Sequence, residues 1–189
     1  DTLSFLTHLS EGTRQSTKHG RYAALSAFFS LIRDSRDPEL KNPCESTVLR
    51  KLFRAPKYTR WETLDKETGD EMIFKIPKVR DRLMVELMAR GGLRVSEVLK
   101  LKAGDVEDQK LILRNPKSGK EEEVVFIPQK IAQRLKDYIR EHGFDPNSRI
   151  FPIKYGAARN VVERAGNRIG VKVRPHDLRR HAATYASRS

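Results

Sequence analysis

Apolar residues recur along most of this chain at three- and four-residue spacings, the mark of helices that each bury one face. Asp1 to Leu9 reads as the tail of a helix with Leu3 and Leu6 inward and Phe5 and Leu9 as further inward candidates, and Gly12 breaks it. Ser16 offers an N-cap for a helix over Thr17 to Asp34, whose stripe is Tyr22, Leu25, Phe28, Phe29 and Ile32. Pro38 and Asn42-Pro43 mark a loop, and Ser46 starts a short helix through Val48, Leu49, Leu52 and Phe53. Helices follow at Asp65 to Lys75, weakened by Gly69, and at Lys78 to Arg90, amphipathic with Leu83, Met84, Leu87 and Met88 inward. Gly91-Gly92 ends the latter, and a short helix runs from Val95 to Leu101. The period then changes to that of strands at 111–114 and 123–127, with a hairpin turn over 115–120. Helices at Pro128 to His142, at Tyr155 to Arg168 and from Pro175 onward complete a mainly α chain with one small antiparallel β-sheet.

Composition narrows what such a chain does. The 189 residues include 38 Lys+Arg against 25 Asp+Glu, a formal charge of +13, which points to a polyanionic partner, most simply nucleic acid. The longest apolar stretch, Tyr22 to Ile32, is too short to span a bilayer. A lone Cys44 excludes an internal disulfide framework and a cysteine-rich zinc site. The basic, Pro-containing stretch from Ala55 to Arg60 is the best boundary, giving domains at 1–57 and 58–189. The first holds 10 Lys+Arg and 6 Asp+Glu and the second 28 and 19, so both halves are basic, as suits two lobes sharing one polyanion.

Three local patterns carry candidate chemistry. In Gly91-Gly92-Leu93-Arg94-Val95-Ser96-Glu97, Arg94 sits at a helix start, where the dipole disfavours a cation, and Glu97 lies one turn on where it can hold the guanidinium. Read alone, the pair also fits an ordinary surface ion pair. Lys117, with Lys120 three residues on, occupies the hairpin turn, where most lysines are simply solvated. In Arg174-Pro175-His176-Asp177-Leu178-Arg179-Arg180, three cationic or titratable groups fall on one helix face beside Arg174. That crowding makes sense around an anion, although a solvated basic face would look the same.

The order Arg94, Lys117, His176, Arg179 is far more specific than any of its parts. The chain resembles the catalytic region of the tyrosine recombinase (phage integrase-type) family. The resemblance rests on the G-L-R-x-S-E-x-L segment at Gly92 to Leu99, the hairpin lysine at Lys117 and the H-x-L-R box at His176 to Arg179. Ser16 to Pro43 is similar to the end of the family's helical SAM-like core-binding domain. The resemblance therefore implies a partial core-binding domain followed by a tyrosine recombinase catalytic domain. It implies strand cleavage through a 3′-phosphotyrosyl intermediate, with no metal or nucleotide cofactor. Arg94 and Arg179 would bind the non-bridging oxygens, Lys117 would protonate the departing 5′-oxygen, His176 would assist proton transfer, and Glu97 would support them. The remaining choice between Lys117 and Lys120 stays open. DNA-binding candidates are Lys18 and Arg21 on the first lobe and Lys120, Arg159, Arg174 and Arg180 on the second.

The family's nucleophilic tyrosine and a second His or Trp lie a few tens of residues beyond H-x-x-R. Tyr185 is too near Arg179 to be that nucleophile and reads as a packing residue, and Tyr138 and Tyr155 precede the box. The expectation is therefore a fragment that binds double-stranded DNA and positions phosphate without cleaving it. The full-length protein would act as a homo-oligomer, a tetramer on paired sites, in the cytoplasm at the nucleoid. A non-catalytic DNA-binding relative, a type IB topoisomerase and a generic RNA-binding helical domain are the competing readings.

Overall fold

The computed structural model describes residues 1–56, 64–114 and 121–186, apart from the side chains at 185 and 186. The chain forms two compact units, Asp1–Trp61 and Glu62–Ser189.

In the first unit, α1 (Thr2–Leu9) is capped by the Asp1 carboxylate, which accepts from the Leu3 amide at 3.0 Å. Leu6 is buried, whereas Phe5 and Leu9, candidates for the inner face, are exposed. Helix α2 (Gln15–Ser35) begins two residues earlier than expected, with Arg14 rather than Ser16 at the N-cap. Its stripe is only half used. Tyr22 and Leu25 pack against a core of Leu6, Leu49 and Phe53, but Phe28 remains exposed, as does Leu31. The loop at Asn42-Pro43 is tied back to α2, because the Asn42 side-chain amide donates to the Ser26 carbonyl at 2.9 Å and to Ser30 Oγ at 3.0 Å. The Tyr22 hydroxyl donates to the Cys44 carbonyl at 2.8 Å, and a single helical turn, Pro43–Glu45, carries the chain into α3 (Thr47–Leu52). Ser46 holds the N-cap position of α3, but its hydroxyl makes no capping bond.

The second unit is built around α5 (Val79–Arg90), against which α4 (Lys66–Phe74), α6 (Val95–Lys100), α7 (Gln129–Glu141), α8 (Tyr155–Asn167) and α9 (Pro175–Ala186) pack. The expected single inner stripe is too narrow. Every residue from Leu83 to Ala89 is buried, so α5 is a central helix covered on all sides. Burying each of Leu83, Met84, Leu87 and Met88 contributes about 1.5–3 kcal/mol. The one acid in this stretch, Glu86, pairs with Arg134 of α7 at 2.8 Å. Burial pushes its carboxyl above the usual range against the pull of Arg134 and Arg82.

A three-stranded antiparallel sheet completes the unit: β1 (Val106–Glu107), β2 (Lys110–Arg114) and β3 (Glu122–Phe126) in spatial order. The two-residue β1 is an addition to the two strands expected. In the β2–β3 register Leu111 faces Val125 and Arg114 faces Glu122, so Leu111 and Leu113 point into the core. Among the described residues no helix is long and apolar enough to cross a membrane.

Candidate phosphate-binding site

The site begins with two glycines that serve different ends. Gly91 ends α5, its amide donating to the Leu87 carbonyl at 3.1 Å, and a Cβ there would lie 2.6 Å from Leu93 and 2.8 Å from the Leu87 carbonyl oxygen. Gly92 adopts φ +66°, a left-handed backbone that L side chains rarely enter. The reversal delivers Arg94 to the N-cap of α6. An arginine cannot accept a capping bond, so the cap is one-sided: Glu97, one turn on, accepts from the Arg94 backbone amide at 2.7 Å. The other oxygen of the same carboxylate accepts from Arg94 Nη1 at 2.7 Å. Glu97 is buried, at 9% exposure, while the Arg94 side chain keeps 41% of its surface open.

Helix α9 brings the second arginine from the far end of the chain. Arg179 Nη1 donates to the Gly92 carbonyl at 2.9 Å and lies 3.7 Å from Glu97 Oε2. One buried carboxylate thus lies against two guanidinium groups, and the net charge of the trio is +1. A guanidinium carries five N–H donors, and these contacts use only a few of them. The rest are available to a tetrahedral anion, for which the planar fork of arginine is well suited.

Helix α9 is held in place two residues beyond Arg179. His181 is buried, its Nδ1 is 2.8 Å from the Leu64 carbonyl oxygen, and its ring lies flush against Gly69 of α4. A Cβ on Gly69 would come within 3.1 Å of that ring.

The other basic residues around this pair take different partners. His176 is exposed in the first turn of α9. Arg180 turns toward Asp177 at 3.7 Å, and Asp177 caps the helix by accepting from the Arg174 amide at 2.9 Å. Arg174 instead shares a surface cleft with Arg159 and Lys172. Arg159 is paired there with Glu163 at 2.8 Å, a contact that raises its pKa. In the first unit Arg21 donates to the Leu9 carbonyl at the end of α1, and Lys18 is half-buried. Lys117 and Lys120 lie outside the described residues, as does the side chain of Tyr185. Two features had no signal in local sequence: the Gly92 carbonyl as partner of Arg179, and the sharing of Glu97 between both arginines. Among the described residues no three His, Cys, Asp or Glu side chains group as a metal site requires.

The chain is similar to known proteins over most of its length. The phage integrase family profile matches residues 62–189. Tyrosine recombinase XerA of Pyrococcus furiosus is 31% identical over 204 residues, covering 98% of this chain and 65% of its own length. Tyrosine recombinase XerA of Saccharolobus solfataricus is 32% identical over 133 residues, covering 68% of this chain and 45% of itself. The chain therefore spans about two thirds or less of the length of these relatives. Among solved structures, XerH site-specific recombinase bound to palindromic difH substrate superposes with a TM-score of 0.73 at 24% identity, covering 98% of this chain and 58% of that one. The Tn1549 transposon integrase in complex with circular intermediate DNA gives 0.70 at 17% identity, covering 98% and 71%. At these identities the likeness to the solved structures is one of fold.

Proposed function

The chain belongs to the phage integrase family, and from that premise we propose that it is the DNA-binding, phosphate-positioning part of a site-specific tyrosine recombinase. The observation that carries this reading is the single buried carboxylate of Glu97 against Arg94 and Arg179. Two like charges held together at a solvent-open site are poorly compensated until an anion joins them. A scissile phosphodiester supplies that anion, and its charge grows as the pentacoordinate transition state forms. Donors fixed in place before the reaction stabilise that growing charge without reorganising, and losing one such donor group costs roughly 10²–10³ in rate.

The other roles follow the family pattern. Lys117 protonates the departing 5′-oxygen, and His176 takes part in proton transfer at the attacking hydroxyl. Glu97 orients the arginines without touching the substrate. Of the tyrosines with described side chains, Tyr22 donates to the Cys44 carbonyl, Tyr138 is buried against His142 and Phe144, and Tyr155 opens α8, ahead of the H-x-L-R box. We assign the nucleophile to a tyrosine outside these 189 residues, with double-stranded DNA as partner and a homotetramer on paired sites as the working assembly. The first unit serves as the core-binding lobe, with Lys18 and Arg21 toward DNA, while Lys120, Arg159, Arg174 and Arg180 grip it from the second.

A nicked suicide DNA substrate tests this. Full-length protein is expected to form a covalent adduct that Arg94→Ala or Arg179→Ala reduces at least 10²-fold, while residues 1–189 bind the DNA and form none. An adduct formed by residues 1–189 would refute the assignment of the tyrosine. A full-length protein that binds DNA but never forms an adduct would make this a non-catalytic relative.

A further inference from the structure

Behind Glu97 lies a second basic feature, assembled from segments far apart in sequence. The loop that follows α7 is stapled to the end of α6 by backbone bonds. The Ala103 amide donates to the Ser148 carbonyl at 3.0 Å, the Gly104 amide to the Pro146 carbonyl at 2.8 Å, and the Ile150 amide to the Leu101 carbonyl at 3.1 Å. Lys102 and Arg149 are thereby locked opposite one another as an antiparallel bridge pair. Together with Lys100, in the last turn of α6, they line a cleft of about 560 Å³ whose wall also includes Glu97 and Arg114.

The charges in this cleft are unevenly matched. Its two acids are already engaged: Glu97 by the arginine pair, and Asp105 by Arg114, whose Nε lies 2.8 Å from Oδ1. The Asp105 Oδ2 accepts from the Lys102 backbone amide at 3.0 Å, which fixes the backbone but leaves the lysine charge unmatched. None of Lys100, Lys102 and Arg149 has a side-chain ion pair among the described residues. Three unmatched cations converging on one concave surface repel each other, and nothing in the packing requires their charge. A rigid backbone staple that brings two of them side by side is a device for holding an extended anion.

We propose that Lys100, Lys102 and Arg149 form a second phosphate-binding station that holds the DNA backbone adjacent to the phosphate at Arg94 and Arg179. This inference rests on the proposed function, since it takes the polyanion to be DNA. Glu97 belongs to both stations, lining the cleft and pairing with Arg94, so the two lie on either side of one carboxylate. The contacts are to phosphate rather than to bases, so the station grips any sequence alike.

The test is the salt dependence of duplex binding by the 189-residue chain. Each phosphate neutralised contributes about −0.9 to the slope of log K against log salt concentration. The triple variant Lys100→Ala/Lys102→Ala/Arg149→Ala is expected to lower the magnitude of that slope by about 2.7, with far-UV circular dichroism unchanged. The control Arg140→Ala, on the exposed surface of α7 beside Asp137, is expected to leave it unaltered. A triple variant with the slope of the unaltered chain would overturn this station while leaving the proposed function standing. A loss of about 0.9 in the control, the same per charge as in the triple variant, would overturn it as well, because the effect would then be one of general charge. Failure of the unaltered chain to bind duplex at any salt concentration would overturn the proposed function and this inference with it.

Discussion

Glu97 carries more of the site than its size suggests. It caps α6, fixes the Arg94 guanidinium and sits within ion-pair distance of Arg179. Removing it would leave two buried-edge cations facing each other and an amide without its acceptor. Glu97→Ala is therefore expected to lower the rate of covalent adduct formation by full-length protein about 10²-fold and stability by about 1–3 kcal/mol. Glu97→Gln, which keeps an acceptor for the Arg94 amide, is expected to recover most of the stability but not the rate. Adduct formation on the suicide substrate and urea denaturation separate the two effects. Arg94 and Glu97 were legible as a local pattern, an arginine at a helix start with an acid one turn on, and Arg179 through the H-x-L-R box. The Gly92 carbonyl was not, because its partner lies 87 residues away and no periodicity encodes that distance. Lys102 and Arg149 escaped for the same reason.

At the scale of elements, helix positions followed from the spacing of apolar residues to within a few residues, as for α7, α8 and the start of α9 at Pro175. How each helix is buried did not follow. Periodicity reports a stripe, but α5 is covered all round and α2 leaves Phe28 exposed, because burial depends on how many neighbours surround a helix. Strand β1, at two residues, is too short to show a period. Approach between elements is equally hidden, and Gly166 near the end of α8 is the sharpest case. A Cβ there would lie 2.4 Å from the Val171 carbonyl oxygen and 3.0 Å from the Val173 side chain, in the segment that leads into α9. Because the obstacle is backbone, Gly166→Ala is expected to cost about 1–3 kcal/mol, read as a lower urea midpoint. A compensating Val173→Ala would not restore it, since the carbonyl contact would persist.

For the whole molecule, the division into two units has a thermodynamic consequence. Among the described residues the buried apolar cluster of the first unit is Leu6, Leu49 and Phe53, with Cys44 buried beside the Asn42 turn, whereas the second has a far larger cluster centred on α5. The smaller unit is expected to unfold first. Leu6→Ala, which removes a fully buried side chain, is expected to destabilise the first unit by about 2–5 kcal/mol. Hydrogen exchange should show that loss of protection in α1 to α3 and none in α5 or α9. Protection lost equally in both units would mean that they unfold as one. The net charge of +13 is likewise a property of the whole chain. The structure distributes part of it to the arginine pair, part to the stapled cleft and part to the Arg159–Arg174 surface.

The contact between His181 and Gly69 bears on how mutational data for this chain should be read. The His181 ring of α9 lies against the bare backbone of α4 at Gly69, so any side chain at residue 69 presses on that ring, two residues beyond Arg179. In a genetic screen scored only by loss of the proposed reaction, substitutions at Gly69 would fall among those at Arg179. Position 69 would then be mistaken for a DNA contact, when its role is that of a spacer.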